Sequence, residues 1–286
     1  MQIQFDTDPR VQLFISQSLA EDIGPGDYST LSCIPSTLQG KAKLLVKDDG
    51  VIAGLELAKT ILKQLDDKLQ TNVYINDGGS VKYGDIVFEV AGSVASILQA
   101  ERLLLNCMQR LSGVATTTQK AVALIADMHT KILDTRKTTP GMRLLEKWAV
   151  TMGGGHNHRF GLYDMVMLKD NHIDAAGGIT KAITKAKEYL KQNNLDLQIE
   201  VETRNIAEVK EAMAAGGIHR IMLDNFELPQ LKEAVTIINK QYETEASGGI
   251  TLSNLVSYSE TGVDYISMGA LTHSVKALDL SLKIIK

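Results

Sequence analysis

The sequence predicts an α/β protein in two parts, a mixed α+β layer domain followed by a parallel βα barrel. Three observations predict it. The chain has 286 residues, 44% hydrophobic and 22% charged, which is long enough to bury a large core unaided and leaves room for about two domains. Its first third mixes strands and helices without regular alternation. The remainder alternates short apolar strands with helices of about 10–15 residues, the rhythm of a parallel sheet. Six or seven such units without a nucleotide-binding fingerprint favour a barrel over an open sheet.

Taken in order, Val11, Phe14, Ile15 and Leu19 recur at helical spacing over 11–22, and Gly24-Pro25-Gly26-Asp27 stops that helix. Residues 41–46 and 51–53 read as strands and 55–65 as a helix. Residues 73–75 and 86–90 read as strands around the loop Asp77-Gly78-Gly79. The stretch 94–128 is mostly helical, with a break expected near Ser112-Gly113. The barrel strands follow at 131–134, 165–168, 197–201, 220–223, 243–246 and 265–268, with helices starting near Gly141, Thr180, Asn205, Glu227 and Thr251.

Composition narrows the function. With 30 basic and 34 acidic residues the net charge is −4, whereas a general nucleic-acid binder carries a basic excess. Aromatic content is 5%, with no aromatic–basic stripe on which bases could stack. Cys33 and Cys107 form no CxxC pair and read as free thiols of a reducing cytosol. The first ten residues have neither a basic start nor an apolar core, so they do not read as a signal peptide. No stretch approaches a membrane span. The expectation is a soluble cytoplasmic protein.

In a βα barrel, chemistry collects where strands run out at their C-terminal ends. The first strand is followed by Thr135, Arg136, Lys137 and Thr138, and the second by Lys169, Asp170, Asn171 and His172. The third ends at Glu202, the fourth at Asp224 and Asn225. The fifth opens into Ser247-Gly248-Gly249 and the sixth into Gly269-Ala270. Any one of these charges could be a solvated loop residue; the ordered set points to a site. Ser247-Gly248-Gly249 leads toward a helix expected near Thr251, and such loops after late barrel strands hold phosphate. Glu202 and Asp224 suit Mg²⁺ shared with substrate phosphates, or could pair with Lys137 or Lys169.

The segment 136–169 is the richest. It holds Arg136-Lys137-Thr138-Thr139-Pro140-Gly141, then Gly153-Gly154-Gly155-His156-Asn157-His158-Arg159, then Lys169. The glycines allow close approach to a ligand, and arginine forks bind carboxylates. His156 and His158 lack the further ligands of a zinc site. Arg143, Glu146 and Lys147 read as a surface ion-pair group. Between Lys131 and Lys169 lie seven basic and three acidic residues, a net +4 inside an acidic chain. Arg102, opening an apolar helix, reads as exposed, or as reaching a site in a neighbouring subunit.

Together these motifs make the chain resemble the quinolinate phosphoribosyltransferases (nicotinate-nucleotide pyrophosphorylases, carboxylating) over nearly its whole length. The resemblance is carried by Glu21 to Asp27, Glu101-Arg102 with Leu105-Asn106, Asp134 to Gly141, Gly153 to Gly155 with Asn157-His158-Arg159, Leu168 to His172, Leu223-Asp224-Asn225, Ser247-Gly248-Gly249 and Gly269 to Ser274. Tyr28, Thr151, His156 and Met268 depart from the family pattern and fall between the matched positions. The resemblance implies an N-terminal α/β sandwich over 1–112, an open, irregular parallel α/β barrel over 113–274, and a final helix over 275–286 that returns to the first domain. It also implies a homodimer, in which Arg102 completes the partner's site, and possible higher assembly.

The implied reaction joins quinolinate to 5-phosphoribosyl-1-pyrophosphate, releasing pyrophosphate and CO₂ and leaving nicotinate mononucleotide, a step of NAD synthesis. Quinolinate would be bound by Arg102, Arg136, His158, Arg159 and Lys169. The phosphoribosyl donor would be bound by Lys137, Glu202, Asp224, Ser247, Gly248, Gly249, Gly269, Ala270 and His273. Mg²⁺ would sit on Glu202 and Asp224, directly or through water, and Lys137, Lys169, Glu202 and Asp224 would be catalytic. Two other readings stay open on sequence: a Schiff-base aldolase with Lys169 as nucleophile, and a non-catalytic phosphate-binding module or molybdate-operon relative.

Overall fold

The computed structural model describes residues 3–285. The chain forms two compact units. One takes in the chain up to Gln119, Thr139–Gly154 and everything from Ser274 on; the other is Lys120–Thr138 with Gly155–His273.

The first unit opens with helices α1 (Pro9–Ile23) and α2 (Tyr28–Cys33). Asp8 caps α1 by accepting the Arg10 main-chain N–H, and Pro9 fits the first turn, where its missing N–H costs nothing. Strands β1 (Gln39–Val46), β2 (Gly50–Val51), β3 (Gln70–Val73), β4 (Ser80–Val81) and β5 (Ile86–Ser93) follow, with helix α3 (Leu55–Leu65) after β2. The α3 N-terminus is capped from a distance: the Leu55 and Glu56 N–H groups donate to the Asp77 carboxylate at 2.8 and 3.1 Å. On β1, Ala42, Leu44 and Val46 are fully buried while the residues between them are not, the alternation of a half-buried strand.

Helix α4 (Val94–Leu124) runs without interruption, so the break expected at Ser112-Gly113 is absent. Gly113 is small for a packing reason: a Cβ there would overlap the Lys276 carbonyl oxygen. Ser112 is buried, and its hydroxyl accepts the Ala53 N–H at 2.9 Å.

The barrel unit carries six parallel strands, β6 (Lys131–Leu133), β7 (Val166–Leu168), β8 (Ile199–Thr203), β9 (Arg220–Asp224), β10 (Glu243–Ser247) and β11 (Tyr265–Ser267), paired in the order β6-β11-β10-β9-β8-β7. All six lie where the sequence predicts them. The sheet is open between β6 and β7, and His156 makes a parallel bridge to Leu133 at the β6 edge. Helix α5 (Arg143–Met152) follows β6, and α6 (Asp170–Ala176) and α7 (Ile179–Gln192) follow β7. Helices α8 (Ile206–Ala215), α9 (Leu228–Ile238), α10 (Leu255–Ser259) and α11 (Ala270–His273) follow the next four strands.

Three expectations are corrected. The final helix over 275–286 is instead a strand, β12 (Leu280–Ile285), antiparallel to β1 with Leu44 opposite Leu282. The first unit's sheet therefore reads β12-β1-β5-β3. Leu280 and Leu282 are buried and Ser281 and Lys283 are not, the period of two of a half-buried strand rather than the helix that the resemblance implies. Second, the segment 139–154, assigned by sequence to the barrel, packs with the first unit. Gly153 lies so close to α4 that a Cβ would overlap the Ala115 carbonyl, and Trp148 meets Phe5 edge-on at 5.0 Å. Third, Glu146 and Lys147 are not surface residues: both are fully buried. Glu146 holds Arg110 at 2.9 Å and accepts both the N–H and the hydroxyl of Thr139.

Candidate functional site

Side chains two apart on a strand share a face. On β8 that pair is Glu200 and Glu202, on β9 Arg220, Met222 and Asp224, and on β10 Glu243, Glu245 and Ser247. The parallel registers set Glu202 beside Met222, Met222 beside Glu245, and Asp224 beside Ser247. The strands thus turn a polar column inward, and its upper end opens at their C-terminal edge. There lies a cavity of about 710 Å³.

Every residue the sequence reading chose lines this cavity except Arg102: Arg136, Lys137, His158, Arg159, Lys169, Glu202, Asp224, Ser247, Gly248, Gly249, Gly269, Ala270 and His273. Arg102 lies exposed on α4, in the first unit.

The wall after β6 is cationic. Asp134, fully buried at the end of β6, accepts the His158 N–H at 2.8 Å and the Asn157 side-chain amide at 2.7 Å, which pins the His158-Arg159 segment beside Arg136. Arg159 is 9% exposed, and its guanidinium donates to the Met165 carbonyl at 3.2 Å. Burial, and then the nearby Arg136 charge, lower its pKa. Two guanidiniums that oppose each other in this way suit an incoming dianion.

The neighbouring wall is acidic. Burial first, then the Asp224 charge, push the Glu202 pKa up, while Lys169 pulls it down. Paired oxygen donors whose mutual repulsion a cation would relieve fit Mg²⁺ bound together with substrate phosphates. Asn225 adopts a left-handed conformation (φ 54°) and donates its amide to Asp224 at 2.6 Å.

The third wall is glycine-rich. Gly248 has φ +100°, and a Cβ there would overlap the Asn225 side chain. Gly269 lets Lys137 and His273 close over it, since a Cβ would meet both at about 3 Å. The Thr272 hydroxyl holds the Lys137 carbonyl at 2.7 Å. The helix expected near Thr251 starts only at Leu255 and has 5 residues. The cradle is therefore the glycine loop itself rather than a helix N-terminus.

Beneath the mouth lies what the sequence reading missed. His158 Nε2 sits 3.0 Å from Glu200 and 3.2 Å from Glu245, both fully buried, and Arg220 Nη1 reaches Glu245 at 2.9 Å. Burial disfavours a charged ring, while the two carboxylates pull the His158 pKa upward. Burial and the Glu245 charge push Glu200 up. Glu245 is held down, because His158 and Arg220 overcome its burial. The Arg159 N–H donates to His158 Nδ1 at 2.7 Å, so Nδ1 is an acceptor and the ring proton lies on Nε2, facing the two carboxylates. His158 therefore spends both ring nitrogens inside the protein rather than facing a ligand as a simple cation. The available signal was a glutamate flanked by apolar or small residues inside each of two short strands, Glu200 in β8 and Glu245 in β10.

Residues 27–112 match the family model for the quinolinate phosphoribosyl transferase N-terminal domain, and residues 114–283 match that for its C-terminal domain. A quinolinate phosphoribosyltransferase [decarboxylating] of Nicotiana tabacum is 50% identical over 285 residues, covering 94% of this chain and 81% of the relative. A probable nicotinate-nucleotide pyrophosphorylase [carboxylating] of Bacillus subtilis is 42% identical, over 96% and 93%. Among solved structures, the nicotinate-nucleotide pyrophosphorylase of Francisella tularensis superposes with a TM-score of 0.91 at 41% identity, over 100% of both chains.

Proposed function

The chain belongs to the quinolinate phosphoribosyltransferase family, and from that premise we propose how its own residues transfer a phosphoribosyl group from 5-phosphoribosyl-1-pyrophosphate to quinolinate and release CO₂. The reaction yields nicotinate mononucleotide for NAD synthesis. The observation that carries the assignment is the juxtaposition of Arg136 and the buried Arg159 with the Glu202–Asp224 pair at one barrel mouth.

Arg136 and Arg159 take the two quinolinate carboxylates, with Lys169 adding charge from the end of β7. This orients the ring nitrogen toward the ribose. The donor lies across the glycine wall, its 5′-phosphate on Ser247, Gly248, Gly249, Gly269 and Ala270, with Lys137 and His273 closing over it. Glu202 and Asp224 would hold Mg²⁺, which when bound offsets the negative charge that gathers on pyrophosphate. As the ribosyl C1–O bond breaks, positive charge builds on the sugar and is held beside those carboxylates, while Lys137 and Lys169 face the departing oxygens. Once ribosylated, the ring nitrogen is cationic. The electron pair left by CO₂ is stabilised by that adjacent charge, so the protein's task is to hold the ring in place rather than to supply a strong base.

The direct test is an assay of the purified protein with quinolinate, the phosphoribosyl donor and Mg²⁺. Stoichiometric release of CO₂ and pyrophosphate is expected, with nicotinate as an inactive control; turnover of nicotinate at a similar rate would overturn the assignment.

The same reading makes the protein a cytoplasmic homodimer. Cys33 and Cys107 are both free thiols, and among the described residues no helix is long and apolar enough to cross a membrane. Arg102, exposed and charged on α4, serves the partner's quinolinate site. Mixing inactive Arg102→Ala and Arg159→Ala proteins is then expected to regenerate activity, because one of the two sites in a hybrid dimer keeps both arginines. Mixtures as inactive as the separate variants would refute the shared site.

A further inference from the structure

The barrel floor raises a question that the transfer reaction leaves open. A pocket for a dianion has two fully buried carboxylates under it, Glu200 and Glu245. Glu200 does not line the cavity, so it has no direct use for a substrate. Both carboxylates converge on the His158 ring at Nε2, at 3.0 and 3.2 Å. Arg220 closes the cluster from below. It binds Glu245 through Nη1 and Glu243 through Nη2, each at 2.9 Å, and its guanidinium stacks 4.1 Å from the Tyr265 ring centroid. The His158, Glu200 and Glu245 donor atoms are close enough to hold a metal ion. The same atoms already have partners within the protein: His158 Nε2 lies within hydrogen-bond reach of both carboxylates, and Arg220 holds Glu245 from the other side.

The other side of the ring faces the substrate wall. Nδ1 accepts the Arg159 main-chain N–H at 2.7 Å, and the Arg159 guanidinium is tied at its far end to the Met165 carbonyl at 3.2 Å. The ring is thus the link between the buried charges and the backbone of the arginine that meets the ligand. On the functional reading above, we propose that Glu200 and Glu245, backed by Arg220, are positioning residues: they fix the His158 ring, which fixes the Arg159 main chain and so aims its guanidinium at quinolinate. Glu200 lies outside the cavity lining, and Glu245, at its floor, is engaged by His158 and Arg220. Their influence is expected to fall on quinolinate, because the path from the cluster to the substrate wall runs through His158 to the Arg159 main chain.

The test uses Glu200→Gln and Glu245→Gln, which keep side-chain shape, with Glu245→Asp as the conservative partner. Each Gln variant is expected to raise the quinolinate KM about tenfold or more, the scale of effect that misaimed binding groups produce. The donor KM should stay unchanged, and Glu245→Asp should recover part of the loss. A purely structural role would instead lower the melting temperature and move both KM values together, and that outcome overturns the proposal. If the Gln variants do not fold, Arg220→Lys, which leaves both carboxylates in place, is expected to show the same one-sided shift. NMR of ¹⁵N-histidine-labelled wild-type protein gives an independent reading, with His158 bearing its proton on Nε2 and none on Nδ1 at neutral pH. A protonated Nδ1, or a stoichiometric metal ion lost in Glu200→Gln, overturns the proposal. Absence of quinolinate-dependent CO₂ release from the wild type would instead overturn the functional reading. An active wild type whose quinolinate KM is insensitive to these substitutions refutes the positioning role alone.

Discussion

Arg159→Ala is expected to weaken quinolinate binding by about 2–4 kcal/mol, the cost of truncating one partner of a desolvated, hydrogen-bonded charge pair, or ~30- to ~1,000-fold in Kd. Affinity for the phosphoribosyl donor should hardly change. The magnitude follows from burial: the arginine is 9% exposed, so its contact with a carboxylate is poorly screened by water. Arg136 is relieved of a like-charged neighbour when Arg159 is removed, which offsets a little of the loss. Calorimetric titration with each ligand separately decides the matter. Loss of both affinities to the same degree, in a protein that still melts cooperatively, would show that Arg159 organises the whole pocket rather than one wall of it.

Glu202→Gln addresses the opposite wall. Loss of half of a carboxylate pair that faces developing charge is expected to lower kcat/KM for the donor by ~10²–10³-fold, or about 3–4 kcal/mol, and to flatten the dependence of rate on Mg²⁺. A Mg²⁺ dependence identical to that of the wild type would remove Glu202 from the metal's surroundings. The same substitution carries a stability signature of opposite sign. The folded protein resists ionising Glu202 because of burial and Asp224. A carboxylate with a raised pKa makes the fold less stable once pH rises past its ordinary range. The neutral glutamine escapes that cost, so the variant should melt at a slightly higher temperature than the wild type at neutral pH, the usual trade between a strained site and stability. Asp224→Asn should act on the same term, so the double variant should fall short of the sum of the two.

Much of the upper rim was legible because Lys169, Glu202, Asp224 and Ser247 each follow directly on a buried strand residue. Lys169 after Leu168 and Asp224 after Leu223 are places where an inward strand meets solvent. The floor was not legible, for a physical reason. Glu200 and Arg220 sit inside strands, where a charged residue ordinarily marks the solvent face, and only barrel closure turns both faces of these strands away from water. Their partners lie on different strands, so no local spacing announces the cluster. His158 shows the limit most clearly: the motif placed it correctly at the cavity, yet its nitrogens answer to Glu200, Glu245 and the Arg159 N–H. At the C-terminus the pattern from Leu278 to Ile285 holds apolar residues compatible with either period. The strand was chosen by an available edge on β1, a tertiary fact that propensity cannot see.

That last strand bears on how the protein comes to be made. On a ribosome β1 can pair with β5 soon after both emerge, but its other edge waits for β12, which follows the whole barrel in the sequence. Throughout synthesis of the entire barrel the nascent chain therefore displays an unpaired strand edge with apolar Ala42, Leu44 and Val46 on one face, the kind of surface that recruits neighbouring chains. Native pairing of β1 with β12 also closes a very long loop, which slows it. Premature termination shortly before Leu280 would leave every barrel strand intact and still yield an aggregation-prone product, because the β1 edge would have lost its partner.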